Sequence, residues 1–279
     1  MTGIMPKKSL SGYFRYMINV KDGTKLFDSI IFGPIVSRRL GISLGINLLP
    51  IDTKICNFDC IYCECGWTDL RSVPKVKFHA RSAVFYELEK ALIYLSQEYK
   101  RLDSITFAGN GEPTMHPEFN LIVDDTIELR DKYFPECKIS VLSNSLMLSN
   151  KKVFDALMKV DKRILKLDAG TERTFQLIDQ PINNRTLEWV VEQLMKFKGK
   201  LIIQTLFLKG EFGDERFDNT TDNEVRSWLN LIKMIRPEQV MIYTIDRPTP
   251  AKQLEKIEIE KLREIVNRVR LLGIPATVS

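Results

Sequence analysis

Residues 103–114 read Asp103-Ser-Ile-Thr-Phe-Ala-Gly-Asn-Gly-Glu-Pro-Thr114. The first six form a short strand by pattern, Gly109 to Thr114 form a loop, and residues from about Pro117 to Lys132 read as a helix. A strand that ends in a polar loop and passes into a helix is half of a βαβ unit, so its recurrence decides the fold. The unit recurs. Downstream, Lys138–Ser143, Arg163–Asp168, Leu201–Phe207, Gln239–Thr244 and Ile274–Val278 read as strands. A helix follows Asn150, one or two follow Asp168, and Thr221 with Glu224 fits a capping box. The helix that box opens carries Val225, Trp228, Leu229, Ile232 and Ile235 on one face, and Leu262, Ile265, Val266 and Val269 mark a last helix. Upstream, Leu44–Leu48 reads as the first strand, and Val84, Leu88, Ala91, Leu92 and Leu95 predict a helix over about 80–99.

Strands separated by helix-length segments mean a parallel sheet of about six or seven units. That is more than a small flavodoxin-like sheet holds and fewer than a closed eight-unit barrel needs. The expected fold is α/β, a partial, open (β/α)6-type barrel. No internal repeat, low-complexity tract or linker interrupts residues 28–279, which are expected to be one domain. Residues 1–27 carry weak patterning and are expected to be a frayed or extended N-terminal extension.

The 279 residues include 44% hydrophobic and 28% charged positions, ordinary for a soluble globular protein. The net charge of +5, spread along the chain, permits a nucleic-acid partner without requiring one. No apolar run reaches the roughly 18 residues that span a bilayer, and the first residues lack the apolar core of a signal peptide. Four of the five cysteines crowd into residues 56–65, Cys-Asn-Phe-Asp-Cys-Ile-Tyr-Cys-Glu-Cys, too close for a disulfide scaffold. A reducing cytoplasm and no membrane partner are expected, with metal binding or redox chemistry at the cluster.

In parallel α/β folds, ligands gather at the C-terminal ends of the strands. The residues placed there are the cysteine cluster, then Asn110, Gly111 and Glu112, then Ser143 and Asn144. Lys166 and Asp168 follow, then Gln204 and Thr205, then Thr244, Asp246 and Arg247. Alternation puts Ile164, Lys166 and Asp168 on one face, Ile202 with Gln204, and Ile242 with Thr244 and Asp246.

For the cysteines themselves four readings compete. A local disulfide would be strained. A Cys60–Cys63 redox pair would not need Cys56. Zinc would take Cys65 as a fourth ligand at an unusually tight spacing. A three-cysteine iron–sulfur cluster would leave one iron open to an outside molecule.

Cys56-x3-Cys60-x2-Cys63, with Tyr62 before the last cysteine, resembles the radical S-adenosylmethionine (SAM) signature. Asn110-Gly111-Glu112 after the next strand resembles that family's Gly-Gly-Glu motif with Asn in first place, which a loop tolerates. The flanking Phe32-Gly33-Pro34, Ser37-Arg38-Arg39-Leu40-Gly41 and Leu44-Gly45 are similar to the short iron–sulfur oxidoreductase branch related to the wybutosine (tRNA base) enzymes. The resemblance spans about residues 30–279. It implies an iron–sulfur, metal-binding oxidoreductase whose 4Fe–4S cluster is held by Cys56, Cys60 and Cys63, with SAM on the fourth iron. Its SAM contacts would be the Tyr62 backbone toward adenine, Asn110, Gly111 and Glu112 toward the amino group, and Ser143, Asn144, Lys166, Asp168 and Gln204 toward carboxylate and ribose. It also implies a flavodoxin- or ferredoxin-type electron donor.

Cys65 lies outside the motif and reads as an incidental thiol, and Cys137 reads as core. With no second cysteine cluster, no auxiliary iron–sulfur domain is expected. His116 is a candidate hydrogen-bond donor near the Glu112 loop, with surface packing the plainer reading for it and for His79. Ser37-Arg38-Arg39 and Thr244–Pro250 are candidates to touch substrate. Three functions follow: a radical SAM enzyme acting on a cytoplasmic substrate such as an RNA base, an activating enzyme installing a glycyl radical on a partner protein, or a non-enzymatic zinc-stabilised binding module.

Overall fold

A computed structural model of the chain describes residues 18–21, 24–68, 77–98, 101–182 and 184–279. Its strands are β1 (Ile18–Lys21), β2 (Thr24–Phe27), β3 (Ile31–Ser37), β4 (Gly41–Ile46), β5 (Ser104–Phe107), β6 (Lys138–Ser143), β7 (Lys162–Lys166), β8 (Ile202–Phe212), β9 (Glu215–Asp218), β10 (Gln239–Thr244), β11 (Leu254–Lys256) and β12 (Ala276–Val278). Its helices are α1 (Arg81–Glu98), α2 (Phe119–Tyr133), α3 (Lys151–Lys159), α4 (Glu172–Ile178), α5 (Leu187–Met195), α6 (Asp222–Ile235) and α7 (Ile259–Arg270).

The main sheet runs β3-β4-β5-β6-β7-β8-β10-β12. From β4 to β12 its neighbours are parallel, and β3 joins β4 antiparallel. The path ends at β3 and β12 without closing, which makes it an open α/β barrel. The expected strands reappear as β4, β5, β6, β7, β8, β10 and β12. Beyond Phe207, β8 continues outward to Phe212 and pairs antiparallel with β9 and β11. Of the N-terminal extension, residues 1–17, 22 and 23 lie outside the described residues, and the remainder is the β1–β2 hairpin.

Helices pack in chain order on the outer face of the sheet. That face buries Leu44, Ile46, Ile105, Phe107, Ile139, Val141, Leu165, Ile203, Phe207 and Ile242 against Val84, Leu88, Leu92, Ile122, Val225, Trp228 and Ile265. A fully buried aliphatic side chain contributes about 1.5–3 kcal/mol, so this layer carries most of the stability. The five positions predicted to face inward on α1 are its buried residues. On α6, Thr221 accepts the Glu224 N–H at 3.4 Å, but the box is half built. Glu224 turns instead to Gly170 N (3.1 Å), Thr174 Oγ1 (2.8 Å) and Thr171 Oγ1, tying α6 to the start of α4.

The inner face is divided. At the β4–β6 side its lower part is a hydroxyl ladder, Ser43–Thr106–Ser104–Ser140, with links of 2.8–2.9 Å. Across from it Leu142, Ile164, Ile202 and Met241 form a small apolar plug with Leu40, from the turn between β3 and β4. Above the plug the barrel opens into a pocket.

Candidate functional site: a cysteine-lined pocket

The loop after β4 carries the cysteines, and backbone bonds from four parts of the chain fix it. Ile55 N donates to Asn110 O and Glu112 N to Ile55 O, both at 2.9 Å, forming a short parallel bridge to the loop after β5. Residues 178–182 grip the next stretch: Asp59 N reaches Asp179 O (3.2 Å), Ile61 N reaches Ile178 O (3.0 Å), and Ile182 N reaches Asn57 O (3.0 Å). Ala251 N donates to Ile61 O at 3.2 Å, and Lys25 N to Glu64 O at 2.8 Å. Phe58 and Ile61 are buried pegs, Phe58 edge-on to Phe175. This division explains the sequence between the cysteines, where apolar side chains anchor and sulfurs point into the pocket.

Cys56, Cys60, Cys63 and Cys65 all line that pocket, which encloses about 670 Å³ of space, part of it open to solvent. Burial pushes the Cys56 thiol up to about 11 and Cys60 well above the ordinary range. Interaction with the neighbouring Cys65 thiol lowers Cys63 and raises Cys65 in return, while Cys65 Sγ lies 3.5 Å from Gly109 O. Asn144 Nδ2 lies 3.5 Å from Cys56 Sγ, and Cys60 Sγ lies 3.6 Å from Asp179 Oδ1. Lys54 is buried behind the sulfurs, its ammonium 2.8 Å from Gly66 O and 3.3 Å from Asp59 Oδ1.

The rest of the wall comes from successive strand ends. Gly109, Gly111 and Glu112 follow β5, Leu142, Ser143 and Asn144 end β6, Ile164 and Lys166 come from β7, Gln204 from β8 and Tyr243 from β10. Glu112 is buried and its carboxylate is held by Thr114 N (3.0 Å), Thr114 Oγ1 and Asn144 N (2.6 Å). Burial still raises its pKa. Lys166 reaches Asp168 Oδ2 at 2.8 Å, Asp179 Oδ1 at 3.7 Å and the Tyr62 hydroxyl, and sits 4.6 Å from the Tyr62 ring centroid. The Tyr62 hydroxyl also donates to Asp168. Desolvation pushes Asp179 up to about 7. Burial opposes the Lys166 charge, and Asp168, Cys60 and Asp179 outweigh it.

Four thiols lining one pocket with an acid, an amide and an ammonium describe a cofactor site. The profile of the Radical SAM superfamily matches residues 51–222, from the cysteine loop to the start of α6. The chain belongs to the radical SAM superfamily. It is 31% identical over 241 residues to a UPF0026 protein of Helicobacter pylori, covering 84% of this chain and 72% of that one. It is also 32% identical over 251 residues to a protein of Brachyspira hyodysenteriae named GTPase Obg. That match covers 88% of this chain and 34% of the relative, so the chain spans about a third of that protein. A radical SAM methyltransferase from Sphaerobacter thermophilus shares the fold, with a TM-score of 0.66 at 15% identity over 94% of this chain and 75% of that one.

Radical SAM proteins are enzymes that use a 4Fe–4S cluster and SAM, and this one is an enzyme of that kind. The donor set fits a cluster. A cluster takes one thiolate per iron, and Cys56, Cys60 and Cys63 present their thiols to one pocket from a single loop.

Tyr62, Gly111, Glu112, Ser143, Asn144, Lys166 and Gln204 all line the pocket with the cysteines. Two expected site residues do not. Asn110 turns its side chain away, accepting from Phe27 N (2.8 Å) and donating to Phe27 O (2.9 Å) and Pro50 O (2.8 Å). Asp168 lies below the wall, accepting from Leu206 N at 2.8 Å and holding Tyr62 and Lys166. On β10 the inner face carries Met241 and Tyr243, not Ile242, Thr244 and Asp246. Thr244 faces outward and accepts from Ile257 N at 2.9 Å.

His116 does not serve the pocket, because it accepts from Glu118 N and donates to His79 O, stapling α2 to the segment before α1. Arg38 pairs with Asp246 and Arg247 with Glu64, fastening the loop after β10 across the barrel mouth, while Arg39 stacks on Tyr243. Cys137 is buried in the core, as its position at a strand start implied. Lys54, Asn57, Asp179 and Tyr243 complete the site without having been marked by any motif. Lys54, two positions before Cys56, is the basic residue of the 51–65 stretch, a signal the sequence did carry.

Proposed function

We propose that Cys56, Cys60 and Cys63 hold the cluster, that SAM fills the adjoining pocket, and that the chain cleaves SAM reductively to act on an RNA base. When bound and reduced by an external flavodoxin- or ferredoxin-type donor, the cluster supplies one electron that splits the sulfonium of SAM into methionine and a 5′-deoxyadenosyl radical, which takes hydrogen from the substrate. The observation that carries this reading is a single pocket lined by Cys56, Cys60 and Cys63 together with Glu112, Ser143 and Lys166.

The chain's own residues bind and orient. Lys166 is the cation available to a carboxylate, held in place by Asp168 and the Tyr62 hydroxyl. Glu112 offers its remaining lone pairs to an ammonium, and its bonds to Thr114 and Asn144 fix its orientation. Phe58, Leu142 and Ile164 supply apolar surface that keeps water from a reactive radical. Gln204 and Tyr243 face the same space from the far strands and are the side chains left for ribose or substrate.

The RNA-base substrate is proposed from the flanking residues that are similar to the wybutosine-related branch. The test is anaerobic reconstitution, expected to give about four irons and four sulfides per chain and reductant-dependent 5′-deoxyadenosine. Stoichiometric zinc with no such cleavage would overturn the reading. Deuterium transfer into 5′-deoxyadenosine from labelled RNA, with labelled protein alongside, identifies the substrate class. Label from protein alone, directed to a glycyl position, would make the chain an activating enzyme instead.

A further inference from the structure

We infer that Lys54 is the buried counter-charge of the three-cysteine set and raises the potential at which that set accepts an electron. This deepens the proposed function and rests on Cys56, Cys60 and Cys63 being the cluster ligands.

Lys54 is 3% exposed. An ammonium out of water must be compensated by charge and hydrogen bonds. It has three protons to place, and among the described residues it reaches two acceptors, Gly66 O at 2.8 Å and Asp59 Oδ1 at 3.3 Å. Asp59 is a weak counter-ion. Its side chain is 24% exposed, and the same oxygen accepts Thr68 N at 2.7 Å. Asp59 immediately precedes Cys60 and Gly66 immediately follows Cys65, so the ammonium is held inside the cysteine loop by groups next to the sulfur-bearing residues.

Lys166, the cation that lines the pocket, is paired with Asp168 and Asp179 and also acts on Cys60. Lys54 is instead enclosed by the cysteine loop itself. Its position is also fixed. It lies two residues before Cys56 and binds the Gly66 carbonyl, so it joins the two ends of the cysteine loop behind the sulfurs.

A set of three thiolates around an iron–sulfur core is anionic and gains a further negative charge on reduction. A fixed cation in a low-dielectric surrounding favours the more negative form, and local charge is among the main determinants of cluster potential. Lys54 thus makes reduction easier, while Asp59 works in the opposite sense.

The test is the midpoint potential of the full-length, anaerobically reconstituted protein, followed by electron paramagnetic resonance in Lys54→Met and Asp59→Asn. The Asn side chain keeps an oxygen for Thr68 N and Lys54 while losing the charge. Lys54→Met is expected to lower the midpoint by at least about 59 mV, the equivalent of a tenfold change in a one-electron equilibrium. Asp59→Asn is expected to raise it. Two unchanged potentials, or two shifts of the same sign, would overturn the inference. Should Lys54→Met fail to retain iron, Asp59→Asn decides alone, and an unchanged or lowered midpoint overturns it. Failure of the unsubstituted protein to take up a cluster would refute the ligand assignment instead, so the two failures are distinguishable.

Discussion

Gly111 lies so close to the carbonyl of Ile55 that a methyl group on its Cα would collide with that oxygen, and its φ of +132° is one that other residues rarely adopt. The contact is the parallel bridge that sets the start of the cysteine loop. Gly111→Ala is therefore expected to push the loop off the Glu112 turn. Overpacking of this kind costs about 1–3 kcal/mol, readable in urea unfolding of the apoprotein, and iron uptake should fall with it. Normal iron loading with unchanged stability would show that the bridge does not position the cysteines.

Lys166 neutralises two buried carboxylates, Asp168 and Asp179, at 2.8 and 3.7 Å. Removing one partner of a buried pair leaves the other charge stranded, at about 3–5 kcal/mol. Lys166→Met should destabilise the apoprotein by that order, and the double variant Lys166→Met/Asp179→Asn should recover part of the loss. Equal stability of single and double variants would mean that Asp179 does not depend on this cation.

Cys65 shares the pocket with the three proposed ligands and reaches Gly109 O at 3.5 Å. Three thiolates suffice for a cluster with an open iron. Cys65→Ala is expected to retain about four irons per chain, whereas Ala at Cys56, Cys60 or Cys63 should abolish loading. Iron analysis after reconstitution checks both halves, and loss of iron in Cys65→Ala would enlarge the ligand set to four.

Burial holds both His79 and His116 below the ordinary histidine range, so the folded state prefers them neutral. The unfolded chain binds those protons more readily, and stability rises with pH across this window. Thermal unfolding should show stability intact above about pH 6.5 and falling below it, a fall reduced in His79→Gln/His116→Gln. Overlapping profiles for the two proteins between pH 7 and 5 would remove the histidines from the account.

The parallel strands were legible because each pairs a compact apolar run with a polar end, and the sheet needs that pattern at every unit. What lay outside that logic was not legible. Residues 209–218 and 254–256 are mostly half or fully exposed and mixed in polarity, so the β8 extension and its partners β9 and β11 carry no alternation. On β10 the inner face was misassigned, because Val240 to Tyr243 are all apolar and the polar Thr244 gave the wrong parity.

The site followed the same division. Cysteines, Glu112 and Lys166 declare themselves by chemistry, but Asn110 looks like a ligand in sequence and acts as a brace to Phe27 and Pro50. Asp179 closes a helix more than a hundred residues from Cys60, and only the folded chain brings the two within 3.6 Å.

Backbone pairing of residues 57–61 with residues 178–182 is complete within the polypeptide itself. In a metal-nucleated domain, shape and metal arrive together. Here the loop is also moored by backbone bonds to the segment that follows α4, so damage to residues 178–182 reaches the cysteines from more than a hundred positions away along the chain.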